Sequence, residues 1–184
     1  MKKTIVVFTL FLSTFIMAQN TEKLPYYEIP KASETYTAGS VASRMVDGLG
    51  FRYFWATEGL RPEDLAYKPN ESGRTSDDIM NHLLDLSNFI LNSISEEKIN
   101  SDKTDMTFEA KRKQTLLNFE KASNILNSTE DLSTFDTNKF PFWNIINGPI
   151  ADALWHCGQV VMLRRASGNP FNSKVSVFNG TVKK

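Results

Sequence analysis

From Tyr36 onward, apolar residues recur at spacings near three and four. Val41, Met45, Leu49, Phe51, Tyr53 and Trp55 all precede Pro62. This period predicts a first long helix from Tyr36 to about Gly59, with Gly48 and Gly50 as weak points inside it. The stretch RPEDLAYKPNESGR that follows is rich in proline and polar residues and reads as a loop. Ser76, followed by Asp77 and Asp78, offers an N-cap hydroxyl and two acids facing the positive end of a helix dipole. The second helix that starts there has an apolar stripe of Ile79, Leu83, Leu86 and Ile90. His82 and Phe89 border the stripe, so His82 faces inward or nearly so. Thr107 opens a third helix in which Phe108, Leu116, Phe119, Ile125 and Leu126 recur as far as about Asn127; its polar face carries no functional signal. A polar, irregular span from Ser128 to Phe142 then leads into a last helix over about Asn147 to Ser167, halted by Gly168, Asn169 and Pro170.

Residues 19–35, with Pro25 and Pro30 and no helical period, read as an extended leader lying over the domain, and Val175 to Phe178 as part of a short, irregular tail. Four helices of this length in one short chain predict an all-α fold, a four-helix bundle occupying residues 36–184. The length of 184 residues and the 41% hydrophobic content suit one globular domain with a substantial core.

Charge changes the picture by exclusion. Lysine plus arginine and aspartate plus glutamate each number 21, so the basic excess needed for phosphate-backbone binding is missing and nucleic acid is not an expected partner. The first eighteen residues run from Lys2 and Lys3 through an apolar stretch to Ala18, the layout of a secretory signal peptide. The apolar stretch, Thr4 to Met17, is shorter than the roughly 20 residues that span a bilayer. The expectation is a periplasmic or extracellular protein without a stable membrane anchor after signal cleavage; a homodimer is compatible with this and not specified by it. Cys157 is the only cysteine, so no intramolecular disulfide can form and packing alone must hold the fold.

The chemistry-bearing residues cluster in the last helix. Asp152, His156 and Gln159 follow at intervals of four and three and share one stripe. Beside it runs an apolar face of Leu154, Cys157, Val160 and Val161. The chain has two histidines, and both fall at inward positions of helices. With Asp152 they make a two-His-one-carboxylate set suited to zinc, nickel, iron or manganese rather than calcium or magnesium. Three protein ligands leave coordination positions open, where a metal can polarise a substrate oxygen or lower the pKa of water toward ~7. Simpler roles stand beside each assignment. Asp152 in the first turn of its helix is favoured by the dipole, His156 can be a hydrogen-bonded core histidine, and His82 can pair with Asp78 or Asp85. Cys157 reads as a small buried hydrophobe, and Trp55, Trp143 and Trp155 read as packing.

Two segments resemble the DinB family. EGLRPEDLAYKPNESGRTSDDIMNHLLDLS is similar to the family's first helix end and second helix start, and GPIADALWHCGQVVMLRRASGNP to its last helix. With the spacing between them, the resemblance covers about residues 38 to 170. It implies a bundle of four helices holding a divalent metal through one histidine of the second helix and two ligands of the last. His82 and His156 match family ligands; Asp152 stands where the family pattern has histidine, which could keep the site, shift its metal preference or disable it. Gln159 matches the family's glutamine, orienting a ligand or lining the pocket, or serving structure alone. Relatives with this bundle include thiol-dependent S-transferases and a maleylpyruvate isomerase. Export argues against copying a cytoplasmic thiol chemistry, so a metal-dependent transferase and a hydrolase acting on a small-molecule substrate stay open together. The alternative is a non-catalytic binding or stress-response module that keeps the bundle without a working metal site. Arg164 and Arg165 are expected to complement the C-terminal end of their own helix.

Overall fold

The computed structural model describes residues 23–99 and 103–184. The signal-peptide expectation for residues 1–18 therefore lies outside the described residues. The chain is mostly helical, as expected of an all-α protein. Its long helices are α1 (Ala38–Thr57), α3 (Ser76–Ile94), α4 (Phe108–Asn127) and α6 (Ala151–Ala166), with a short α2 (Pro62–Ala66) between the first two. A 3-10 turn over Leu132–Phe135 and a short α5 (Trp143–Ile145) precede α6, and strands β1 (Val175–Ser176) and β2 (Thr181–Val182) form an antiparallel hairpin near the C-terminus. Among the described residues, no helix is long and apolar enough to cross a membrane.

Threonines start three of the long helices. Thr37 and Ser40 exchange side-chain-to-backbone bonds in a capping box, Thr75 and Asp78 do the same, and the Thr107 hydroxyl accepts from the Ala110 amide. Each cap satisfies amides that the first turn leaves without a partner. The N-cap of α3 is thus Thr75, one residue before the expected Ser76, because the Asp78 carboxylate reaches back to the Thr75 amide at 3.0 Å.

α4 and α6 each pack against both α1 and α3. Leu49, Tyr53, Leu83, Ile90, Leu116, Phe119 and Val160 are fully buried between them, and the Tyr53 and Phe119 rings meet edge to face at 5.9 Å. The expected first stripe is corrected at its start: Val41 and Met45 are exposed, and Ala42 and Val46 turn inward instead. The expected loop after α1 also contains a helix. Pro62 stands at its first position, and Asp64 accepts bonds from both the backbone and the guanidinium of Arg61.

The described part of the segment before α1 is tied to α1 and to the C-terminal hairpin. Tyr27 carbonyl accepts from the Trp55 indole at 3.1 Å, Arg44 donates to the Pro30 carbonyl at 2.7 Å, and the Ile29 amide bonds Gly180 of the hairpin. Tyr26 is buried and has φ of +71°, a backbone conformation costly for a residue with a side chain. Its ring lies on Gly50, where a Cβ would come within 2.5 Å of ring carbons, so Gly50 makes room for the leader. Its hydroxyl donates to Asp47, which also accepts from Ser123 at 2.6 Å.

The last helix begins earlier than the expected Asn147. Trp143–Ile145 is already helical, and Ile146–Ile150 forms one wide π turn before α6. Pro149 has no amide hydrogen, and its ring crowds the preceding turn. The chain widens there, and the Ala151 amide reaches the Ile146 carbonyl five residues back. At the other end Gly168 takes φ of +83° and the Asn169 amide closes on the Arg164 carbonyl at 2.8 Å, the stop expected from Gly168, Asn169 and Pro170.

Arg164 stands in the last turn of its own helix, as expected, and serves the end of α1 as well. Its buried guanidinium donates to the Trp55 and Ala56 carbonyls at the end of α1 and to the Asn169 carbonyl. Arg112 of α4 reaches the Phe54 carbonyl and the Thr57 hydroxyl of the same end. α1 has no basic residue in its last turn, so two other helices supply the positive charge its C-terminus favours. Arg165 instead lies over the Phe171 ring.

Candidate metal centre

Side-chain direction on two helices builds the site. α3 runs with Ile79, Leu83 and Ile90 in the core, which leaves His82 at the border of that stripe and aimed toward α6. On α6, Ala153, Cys157 and Val160 are buried, and Asp152 and His156 lie one turn apart beside them. The two elements therefore bring His82, Asp152 and His156 together. Each offers one ligand atom, and the three atoms lie within 4.8 Å of one another.

The carboxylate of Asp152 sits between the imidazoles. Oδ2 is 3.1 Å from His82 Nε2 and Oδ1 is 3.4 Å from His156 Nε2. The imidazole rings are perpendicular, with centroids 4.6 Å apart. Neither local pairing proposed for His82 is used: Asp78 caps α3, and Asp85 pairs with Lys103. Because the helical path starts at Trp143, Asp152 lies well inside it, and a helix N-terminus is not what places a carboxylate there.

Gln159 decides which nitrogen of His156 faces the cluster. Its Oε1 lies 2.7 Å from Nδ1, close enough for Nδ1–H to donate to the amide oxygen. In the neutral imidazole, Nε2 then carries a lone pair and points at Asp152. Two acceptors face one another across 3.4 Å, and a second carboxylate oxygen faces His82 across 3.1 Å. Lone pairs in this arrangement repel unless a proton or a cation lies between them. Nitrogen and oxygen ligands bound at about 2.0–2.2 Å in a tetrahedral shell stand roughly 3.3–3.6 Å apart. The two carboxylate–imidazole separations are near that spacing, and with all three ligand atoms within 4.8 Å of one another the group could hold a small divalent ion once the side chains draw together.

His156 is buried at 9% exposure, whereas the side chains of His82 and Asp152 are 35% and 39% exposed. The cluster is thus rooted in the protein and opens on one side. Asp152 is the one ligand of the three that also lines a shallow depression, together with Leu86, Phe89, Pro149, Ala151 and Trp155. Trp155 is 72% exposed and Trp143 71%, correcting their expected packing role; Trp55 alone of the three is buried. The signal for Trp155 was helical phase, since two residues before buried Cys157 is about 200° round the helix. Cys157 is the buried hydrophobe expected. Its thiol is pushed up to about 12 by burial and takes no part in the cluster.

Compared with models of protein families, with curated proteins and with solved structures, the chain matches none.

Proposed function

We propose that this is an exported DinB-like protein whose four long helices form one bundle around a divalent transition metal, acting on a small molecule as a metal-dependent transferase or hydrolase. His82, Asp152 and His156 are the ligands, and Gln159 orients His156 from behind. The observation that carries the reading is the meeting of three ligand atoms from two helices, with the Gln159 bond leaving the Nε2 lone pair of His156 turned into the cluster. The layout of residues 1–18 supports export. Zinc, nickel, iron or manganese in such a site supplies a Lewis acid and a water made acidic at neutral pH. The protein's own part is to hold the ligand atoms in register, to fix the His156 tautomer and to leave the His82 and Asp152 side open to a substrate.

A non-catalytic role is the second reading, and one observation favours it. Asp152 already lies at ion-pair distance from both imidazoles, so a proton on His82 can satisfy part of the cluster without a metal. Elemental analysis of the protein, purified without a His-tag and beside Asp152→Ala and His156→Ala, separates the two. Near-stoichiometric metal that is lost in both variants is the expected result. No metal after incubation with zinc, nickel, iron and manganese would overturn the proposal in favour of the second reading.

A further inference from the structure

The depression beside Asp152 is lined mostly by apolar residues, two of them large and exposed. Trp155 and Phe89 are 72% and 48% exposed, while every large side chain of the core is sealed elsewhere. Helical spacing joins them to the ligands. Leu86 and Phe89 follow His82 by four and seven residues, and Trp155 follows Asp152 by three, so the stripes of these two ligands continue onto the shelf. The floor is kept low by small residues: Ala151 lines it, and a Cβ on neighbouring Gly148 would meet no atom within 4 Å. Pro149 of the π turn closes one rim, and the Phe140 ring stands 6.1 Å from Phe89 and extends the aromatic surface. Among the described residues, no lysine or arginine lines the depression, and its one carboxylate besides Asp152 is Asp85, already paired with Lys103. With its one nearby cation, Lys103, already engaged by Asp85, the lining favours a flat uncharged body over a polyanionic one.

We infer that the site takes a small molecule made of an uncharged, flat apolar body, aromatic by preference, joined to an oxygen donor group: the body lies on Phe89 and Trp155 while the donor reaches the His82–Asp152–His156 cluster. This rests on the metal reading above. It adds the substrate class, which the ligands alone do not specify. Trp155 contributes by contact with the apolar body, not by holding the metal.

Two probes of the same donor group test it: acetohydroxamate, with a methyl body, and benzohydroxamate, with a phenyl body. Both are titrated calorimetrically into the metal-loaded protein and into metal-loaded Trp155→Ala, with metal content measured in each sample. Covering a phenyl ring against two aromatic side chains corresponds to about tenfold or more in affinity. The expected result is that benzohydroxamate binds the wild type at least tenfold more tightly than acetohydroxamate. Trp155→Ala should remove most of that preference while keeping its metal and its acetohydroxamate affinity. Trp155 is exposed, so its removal leaves the core intact. Equal affinities for the two probes in the metal-loaded wild type, or a preference unchanged in Trp155→Ala, would overturn the shelf and leave the metal site standing. Failure to load metal would overturn both, and the elemental analysis tells that case apart.

Discussion

Replacing Gln159 tests the logic of the metal centre more sharply than removing a ligand does. Gln159 touches no ligand position itself; its Oε1 lies 2.7 Å from His156 Nδ1. While the imidazole is neutral, this bond is worth about 0.5–1.5 kcal/mol. A metal on Nε2 would polarise the imidazole and strengthen Nδ1–H as a donor, toward the about 1.5–3 kcal/mol of a bond to a charged group. The difference, about 1–1.5 kcal/mol, is what Gln159 contributes to metal affinity, and it corresponds to roughly tenfold. Gln159→Leu should weaken zinc binding by about that factor. The residue is half-buried and the two side chains are similar in volume, so the fold should be little disturbed. Gln159→Glu should act in the opposite direction, since a carboxylate accepts Nδ1–H more strongly and raises the basicity of Nε2. The assay is competition with a fluorescent zinc chelator at pH 7.5, with unfolding curves run in parallel. Zinc affinities of all three proteins within twofold of one another would refute the argument that this bond selects the ligand nitrogen.

Two further perturbations address the frame around the site. Arg164→Met leaves the Trp55, Ala56 and Asn169 carbonyls without their donor; against the recovered cost of burying a guanidinium, the net loss should be about 2–4 kcal/mol in urea unfolding. Arg164→Lys should recover little of it, because an ammonium cannot present the same fork, and a loss under about 1 kcal/mol would refute the account. Burial raises the Asp47 carboxyl above its ordinary value. A raised folded pKa gives stability that is present below the unfolded value near ~3.9 and is lost as pH rises through the folded value. Asp47→Asn keeps an oxygen for Tyr26 and Ser123 and cannot ionise, so its stability relative to the wild type should improve between pH 4 and pH 7.5. A stability relative to the wild type that stays flat or falls over that range would contradict the assignment.

The long helices and the three clustered residues were legible because each depends on local period. Ile79, Leu83 and Ile90 set the phase that turns His82 inward, and the interval between Asp152 and His156 puts them one turn apart whatever surrounds them. What stayed hidden depends on neighbours distant in sequence. Arg164 at the end of its helix looks like a complement to that helix, and only the position of α1 shows which carbonyls it takes. Gly50 reads as a weakness in α1 until Tyr26 is seen lying on it. Val41 and Met45 fit the apolar spacing and are nevertheless exposed, since Ala42 and Val46 occupy the face that meets the other helices. The bond from His156 to Gln159 was within reach, being a three-residue interval on one helix, but its choice of nitrogen required coordinates.

The wide turn at Ile146–Ile150 amounts to one surplus residue in a helix that is otherwise regular. Were the same residues wound as an ordinary helix, with none removed, everything before the turn would be rotated by about 100° relative to everything after. Downstream, Asp152 and His156 would keep their phase with Cys157 and Val160. Upstream, Phe142 and Ile145, now buried, would be carried out of their sockets. The surplus residue therefore acts as a phase adjuster between two anchors: it lets the entry segment seat its apolar side chains on its own terms while the ligand-bearing half keeps the rotation that the site demands.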